Sequence, residues 1–270
     1  MKSLSLADQI FFRIETRRQP MHVGGLHLYS FPADAGPEYV TELAQYMRSF
    51  NRPIAPFNQR IKKRLGQYYW QEDEHFDLDH HFRHSALPKP GRIRELLAYV
   101  SAMHGPALDR QRPMWECHLI EGIQGRRFAM YYKIHHSMMD GVAAMRMTSE
   151  LLNESNTLTD QPPLWALPSL DKPRTKQVET SSLVSSLTSL AAKTGRQIST
   201  VPTLVKEVGH AIGEARSNPD YVSSFQAPES ILNGRITGSR RFAAQSFPLE
   251  RFKTLSKKMG ATLNDVVLAV

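Results

Sequence analysis

Apolar positions along the chain fall into helical and alternating stretches set apart by polar breaks. "LADQIFFRIE" predicts a short helix over about residues 5 to 17, with Ser5 as its N-cap. "LHLYSF" (26 to 31) alternates like a strand, and Gly24 and Gly25 before it permit a close backbone approach or a bulge. Val40, Leu43, Ala44 and Met47 recur at helical spacing, so about 37 to 50 is predicted as an amphipathic helix. Short strand-like pieces follow in 54 to 84, around "FNQRIKKRL" and "QYYWQEDEHF", and Pro88, Pro90 and Gly91 close that region. Ile93, Leu96, Leu97 and Val100 mark a further amphipathic helix. "MWECHLIEGI" and "RRFAMYYKIHH" read as two strands joined by the turn "QGR", and after Gly141 the pattern is helical to about Leu152.

From 153 to 182 the chain is rich in Pro, Ser, Thr, Asn and Asp, which predicts a long connection over the surface. Helices are expected at about 183 to 197 and from Pro202 to about Arg216. The second places Val201, Leu204, Val205, Val208 and Ile212 on one face, either packed on the domain or lying on a lipid surface. "ATLNDVVLAV" ends on an apolar run that needs a partner to bury it, so the chain is expected to be part of a longer protein.

Composition narrows the class without changing this picture. Hydrophobic residues at 41% and charged residues at 22% fit a globular protein of one or two lobes, and no apolar run reaches the length of a membrane span. The start "MKSLSLADQIFFRIETRRQP" lacks the apolar centre of a secretory signal, which sets the expected compartment as the cytoplasm. Cys117 is the single cysteine and alternates with Trp115 and Leu119, the pattern of core filler rather than of a nucleophile. The net charge of +8 suits an anionic partner. Its basic clusters at 60 to 64, 125 to 127 and 238 to 242 lie far apart, and no nucleic-acid-binding signature joins them.

The candidate chemistry is concentrated in "YYKIHHSMMDGVAAMRM" (131 to 147). Neighbouring residues of a strand point to opposite faces, so His135 and His136 are poorly placed to share a metal ion, and the spacing is not that of a helical zinc motif. His75, His80, His81 and His84 are denser but lack a regular ligand spacing, so no metal is expected. A histidine at a strand end, before a loop whose Asp140-Gly141 leads into a helix, is held by rigid elements and projects as a base that works near neutral pH.

"HHSMMDG" resembles H-H-x-x-x-D-G, the signature of the coenzyme-A-dependent acyltransferases that include chloramphenicol acetyltransferase and peptide-synthetase condensation domains. "LSLADQIFFRIETRRQPMHVGGL", "FDLDHHFRHSALPKPG", "DRQRPMWECHLIEG", "LNGRITGSRRFA" and "LNDVVLAV" resemble, in order, segments of the bacterial wax ester synthase/diacylglycerol acyltransferase family. Met114 departs from that family's P-L-W element, a volume-conserving change.

The resemblance implies an α/β fold: a chloramphenicol-acetyltransferase-like lobe, a mixed sheet flanked by helices, the first of two similar lobes. Residues 1–152 would form that lobe, 153–182 the surface connection, 183–235 a helical segment, and 236–270 the start of a crossover to a C-terminal lobe. It also implies O-acyl transfer from acyl-CoA, a co-substrate and not a bound cofactor, to a fatty alcohol or diacylglycerol. His136 would be the general base, with His135, Asp140 and Gly141 shaping the loop. Asn264 and Asp265 match its N-D element and are expected to hold the crossover, while Arg240 and Arg241 are expected in a structural or a substrate-binding role. A lipid surface at the inner membrane or a lipid droplet is the expected location. The alternatives are a non-catalytic lipid-surface protein of the same fold and a condensation-type domain that uses carrier-bound thioesters.

Overall fold

The strand that leads to the paired histidines is buried along almost its whole length. In a computed structural model that describes residues 2–139, 141–152, 161–167, 234 and 236–270, strand β7 (Arg127–His135) lies between β2 (His22–Ser30) and β6 (Trp115–Ile123). The four-stranded sheet is completed by β5 (Phe82–Ala86) in the order β2-β7-β6-β5. β2 and β6 run antiparallel to β7, and β5 runs parallel to β6, so the sheet is mixed. A parallel pair needs a long crossover, which helix α4 (Ile93–His104) supplies between β5 and β6.

Period-two alternation along β7 gives the sheet two different faces. Phe128, Met130, Tyr132 and Ile134 form one core with Val40, Ala44 and Met47 of α2 (Tyr39–Ser49) and Met147 of α5 (Gly141–Leu151). Ala129 and Tyr131 point the other way, to Leu96 and Val100 of α4. This is the α/β lobe with a mixed sheet flanked by helices that the sequence implied.

The region 54 to 84 resolves into a second sheet. β1 (Lys2–Ser3), β4 (Gln67–Glu72) and β3 (Gln59–Arg64) pair antiparallel in the order β1-β4-β3, and α3 (Leu78–His81) then leads into β5. Leu65 (φ 49°) and Gly66 (φ 80°) turn the β3-β4 hairpin with two positive φ angles, the geometry that matches strand twist. Helix α1 (Leu6–Ile14) starts at the expected cap, with the Ser5 hydroxyl accepting from Asp8 N–H at 3.1 Å.

Of the surface connection expected over 153–182, residues 161–167 are described, and these lie against the core. A 3₁₀ turn at Leu164–Ala166 buries Leu164 and Trp165 completely, and the Trp165 ring stacks on Trp115 at 5.2 Å. Its indole N–H donates to Phe50 O at 2.9 Å. The polar composition of the stretch hid two apolar anchors. The helices expected at 183 to 197 and 202 to 216 lie outside the described residues.

The chain divides into two units, 1–240 and 241–270. The second holds α6 (Leu249–Met259), ended by Gly260 at φ 60°, and α7 (Leu263–Ala269). Val266 is its buried residue, whereas Leu268 is 77% exposed. Among the described residues no helix is long and apolar enough to cross a membrane.

Candidate active site

His135 is the last residue of β7 and His136 the first beyond it, and each is held by the backbone of a different neighbour. His135 N–H donates to Met114 O at 3.0 Å, and His136 N–H to Met21 O at 2.8 Å. Helix α1 then lays two consecutive aromatic rings over the pair. Phe12 stacks on His135 at 4.5 Å and 10°, and Phe11 on His136 at 4.3 Å and 23°. Phe11 and Phe12 of α1 are therefore a wall of this site, and Phe12 also belongs to the core with Leu4, Leu108 and Met114.

The two histidines differ in what their nitrogens meet. His135 is 1% exposed, and Ser137 N–H donates to its Nδ1 at 3.2 Å, with the Ser137 hydroxyl 2.7 Å from the same atom. A backbone N–H can only donate, so Nδ1 accepts and the neutral ring carries its proton on Nε2. That Nε2 faces Glu15 Oε1 at 3.6 Å, an electrostatic contact beyond hydrogen-bond range. His136 is half-buried, with Nδ1 enclosed and without a hydrogen-bond partner among the described residues. His135 is thus fixed in orientation and tautomer, while His136 is fixed in plane and keeps its hydrogen-bonding capacity.

Glu15 organises this corner. Its carboxylate accepts from Met21 N–H at 3.0 Å and from the Arg110 guanidinium at 2.5 Å. Burial pushes its pKa up, but His135, the Met21 N–H and Arg110 together outweigh burial and hold it down at about 2. The carboxylate is therefore charged at neutral pH, and it clamps the segment whose Met21 carbonyl receives His136.

Behind the pair, the α4 side of the sheet carries a polar network. Lys133, 1% exposed, donates from Nζ to Met103 O at 2.9 Å and to Pro106 O at 2.6 Å, with Glu116 at 4.0 Å. His22, paired with His135 across the strands, donates from Nε2 to His104 O at 2.8 Å. Burial first, then the Lys133 charge, lowers its pKa to about 4. Gly24 is required here by space, because a Cβ would stand 2.9 Å from the Tyr131 hydroxyl and 3.1 Å from His104 Nδ1. Close approach is the role that Gly24 fills. The strand register runs through Gly24 and Gly25 without a bulge.

The remaining expected site residues are dispersed. Asp140 lies outside the described residues. Gly141 opens α5 at an exposed position where an added Cβ would meet nothing, so no steric need for glycine acts there among the described residues. Arg240 donates to Arg18 O at 2.7 Å in the first unit, and Arg241 is exposed in the second. Asp265 caps α7, accepting from Thr262 N–H at 2.8 Å, and Asn264 beside it is exposed. His81, sandwiched between Phe76 and Trp115, donates from Nδ1 to Trp115 O, while His84 faces Glu121. Among the described residues no group of three or more His, Cys, Asp or Glu is arranged to hold a metal ion. Cys117 is fully buried, and burial raises its thiol pKa well above the usual value.

The family model "Wax ester synthase/diacylglycerol acyltransferase catalytic domain" matches residues 4–267. An O-acyltransferase WSD of Acinetobacter baylyi is 46% identical over all of this chain, and a probable diacylglycerol O-acyltransferase of Mycobacterium tuberculosis is 38% identical over 97% of it. The solved wax ester synthase/diacylglycerol acyltransferase from Marinobacter aquaeolei superposes with a TM-score of 0.73 at 47% identity, over 98% of this chain. The chain spans 58%, 57% and 58% of these three proteins, respectively.

Proposed function

The chain belongs to the wax ester synthase/diacylglycerol acyltransferase family, and on that ground we propose that the whole protein is an O-acyltransferase in which His136 is the general base. The acyl donor is a long-chain acyl-CoA, and the acceptor is a fatty alcohol or a diacylglycerol. His136 takes the hydroxyl proton as the alcohol oxygen attacks the thioester carbonyl; the C–S bond breaks, and the proton passes to the departing thiolate. Free CoA and an ester leave, with no acyl-enzyme between them.

The observation that carries this reading is the contrast between the two histidines. His135 has its Nδ1 occupied and its Nε2 facing a carboxylate, whereas the ring of His136 is braced by Phe11 without a polar partner among the described residues. With Nδ1 enclosed, Nε2 of His136 is the atom assigned to the proton. His135 acts by holding the strand end, and Asp140 and Gly141 by shaping the loop that follows. Asn264 and Asp265 hold the chain segment that leads to a C-terminal lobe, and Arg241 acts in the same structural part. The acceptor partitions into lipid, so the protein works as a peripheral protein of the inner membrane or of lipid droplets, on the cytoplasmic side.

The test is CoA release from acyl-CoA and a long-chain alcohol by the full-length protein, wild type against His136→Ala. The expected loss is ~100- to 10,000-fold, the usual contribution of a general base, with an unchanged melting temperature. Near-normal turnover in the variant removes His136 from the mechanism.

A further inference from the structure

Several arginines of the first unit are spent on carboxylates: Arg48 on Asp79, Arg92 on Glu95, Arg110 on Glu15. Arg17, Arg18 and Arg240 have no such partner among the described residues, and all three line one cleft of about 1000 Å3. Among the described residues no carboxylate lines it. The other large cleft, of about 830 Å3, also contains arginines, but Glu72, Asp73, Glu74, Asp77 and Asp79 line it with them. Only the first of the two presents uncompensated positive charge in a concave setting.

The cleft is built, not merely bordered by loose side chains. The Arg240 guanidinium donates to Arg18 O at 2.7 Å and to Ser239 O at 3.1 Å, which ties its two walls together. Gly105 faces Gly238 across it, where a Cβ on Gly105 would stand in ordinary van der Waals contact with Gly238 O at 3.6 Å. Its floor is the C-terminal end of α4, which ordinarily repels an anion. Here three of the last four carbonyls of α4, those of Ser101, Met103 and His104, are occupied. Lys133 Nζ takes Met103 O and Pro106 O, His22 Nε2 takes His104 O, and Gly105 N–H takes Ser101 O at 3.2 Å. Glu116, the nearest carboxylate to that buried ammonium, is 4.0 Å from it.

The cleft also adjoins the histidines along the chain. Arg17 and Arg18 sit between Glu15, which faces His135, and Met21, whose carbonyl receives His136. Two residues, Gln19 and Pro20, separate Arg18 from Met21, a reach of roughly 10 Å at most.

We infer that the cleft lined by Arg17, Arg18 and Arg240 seats the phosphate groups of the acyl donor's CoA moiety, leaving the pantetheine arm to carry the thioester toward His136. The inference rests on the acyl-CoA reading given above. Guanidinium groups pair bidentately with phosphate oxygens, and the small residues between them leave room for the nucleotide end.

The experiment uses the full-length protein and the paired variant Arg17→Glu/Arg18→Glu, with Arg17→Gln/Arg18→Gln as the milder pair should the first fail to fold. Adenosine 3′,5′-bisphosphate, titrated calorimetrically, should bind the wild type and lose about tenfold or more in affinity in the variant, as expected for lost charge-assisted hydrogen bonds. KM for acyl-CoA should rise by a similar factor at near-constant kcat. KM for the matching acyl-pantetheine thioester, which lacks those phosphates, should stay unchanged. Unaltered bisphosphate affinity and unaltered KM overturn the seat while leaving the acyltransferase reading intact. Bisphosphate binding that depends on the arginines, in a wild type that releases no CoA from any acyl-CoA, sinks the acyltransferase reading and keeps the seat. Vesicles of phosphatidylglycerol and phosphatidylcholine supply the remaining arm: a variant that loses vesicle binding but keeps bisphosphate affinity shows that the cleft takes lipid headgroups and overturns the proposal.

Discussion

At the scale of single residues, the site depends on a carboxylate 95 residues away from the arginine that meets it. Replacing Glu15 by Gln keeps its shape but removes its charge, leaving the His135 Nε2 proton and the Arg110 guanidinium without their anion. The Glu15 side chain is 6% exposed but that of Arg110 is 41% exposed and screened by solvent, so the expected cost is about 1 kcal/mol, read from the urea midpoint at pH 7. Because the folded pKa of about 2 lies below the ordinary 4.5, this stabilisation is present at neutral pH and disappears as pH falls from about 4.5 toward 2. The Gln variant should therefore lose less stability than the wild type across that window; parallel curves would deny Glu15 its role. His135, His136 and their neighbourhood were legible in the sequence because a local motif marks them. Glu15 and Arg110 were not, since neither periodicity nor spacing signals a contact between distant segments. Lys133, the one charge inside the apolar run of β7, was a readable sign of a buried polar network that the strand pattern alone does not interpret.

At the scale of elements, the alternation and helical spacing located the helices and strands that flank the site, because each buries one face and so carries a period. The 3₁₀ turn at Leu164–Ala166 escaped, as three residues are too short to show one. Its weight in the core is large all the same. Trp165→Ala would leave a cavity beside Trp115 and Phe82 and orphan Phe50 O, at an expected cost of about 3–5 kcal/mol in the denaturation midpoint. A loss below about 1 kcal/mol would mean that the turn merely covers the core. The helix α1 shows a different limit. Its cap was readable, but the helix ends at Ile14 and not at about residue 17, and which target its consecutive phenylalanines would cover was set by how the 15–22 segment folds back, a tertiary fact.

For the molecule as a whole, two buried neutral histidines govern stability below neutral pH. Burial is the main cause that lowers His22 and His81 to about 4, aided by Lys133 at the first and by His80 and Arg112 at the second, against opposing hydrogen bonds to His104 O and Trp115 O. Each ring is neutral, with a single N–H, in the folded state at a pH where the unfolded chain already takes up the second ring proton. Their contribution is full above about 6.5 and is lost as pH falls to about 4, by up to roughly 3 kcal/mol per histidine. The expected outcome is a melting temperature that declines steadily from pH 7 to pH 4, mostly above the Glu15 window that opens at about 4.5. His22→Asn should flatten part of that decline, and an unflattened curve would place the effect elsewhere.

The buried Trp165 also ties folding to the order of synthesis. A nascent chain that has emerged only as far as residue 152 already contains every strand of the four-stranded sheet, yet the faces of Trp115 and Phe82 that Trp165 covers remain open. Ribosomes add about 5–20 residues per second, so the core stays uncapped for on the order of a second while the stretch to residue 167 is made. During that interval the growing polypeptide presents a sticky aromatic surface, and that is the moment at which a chaperone has most to protect.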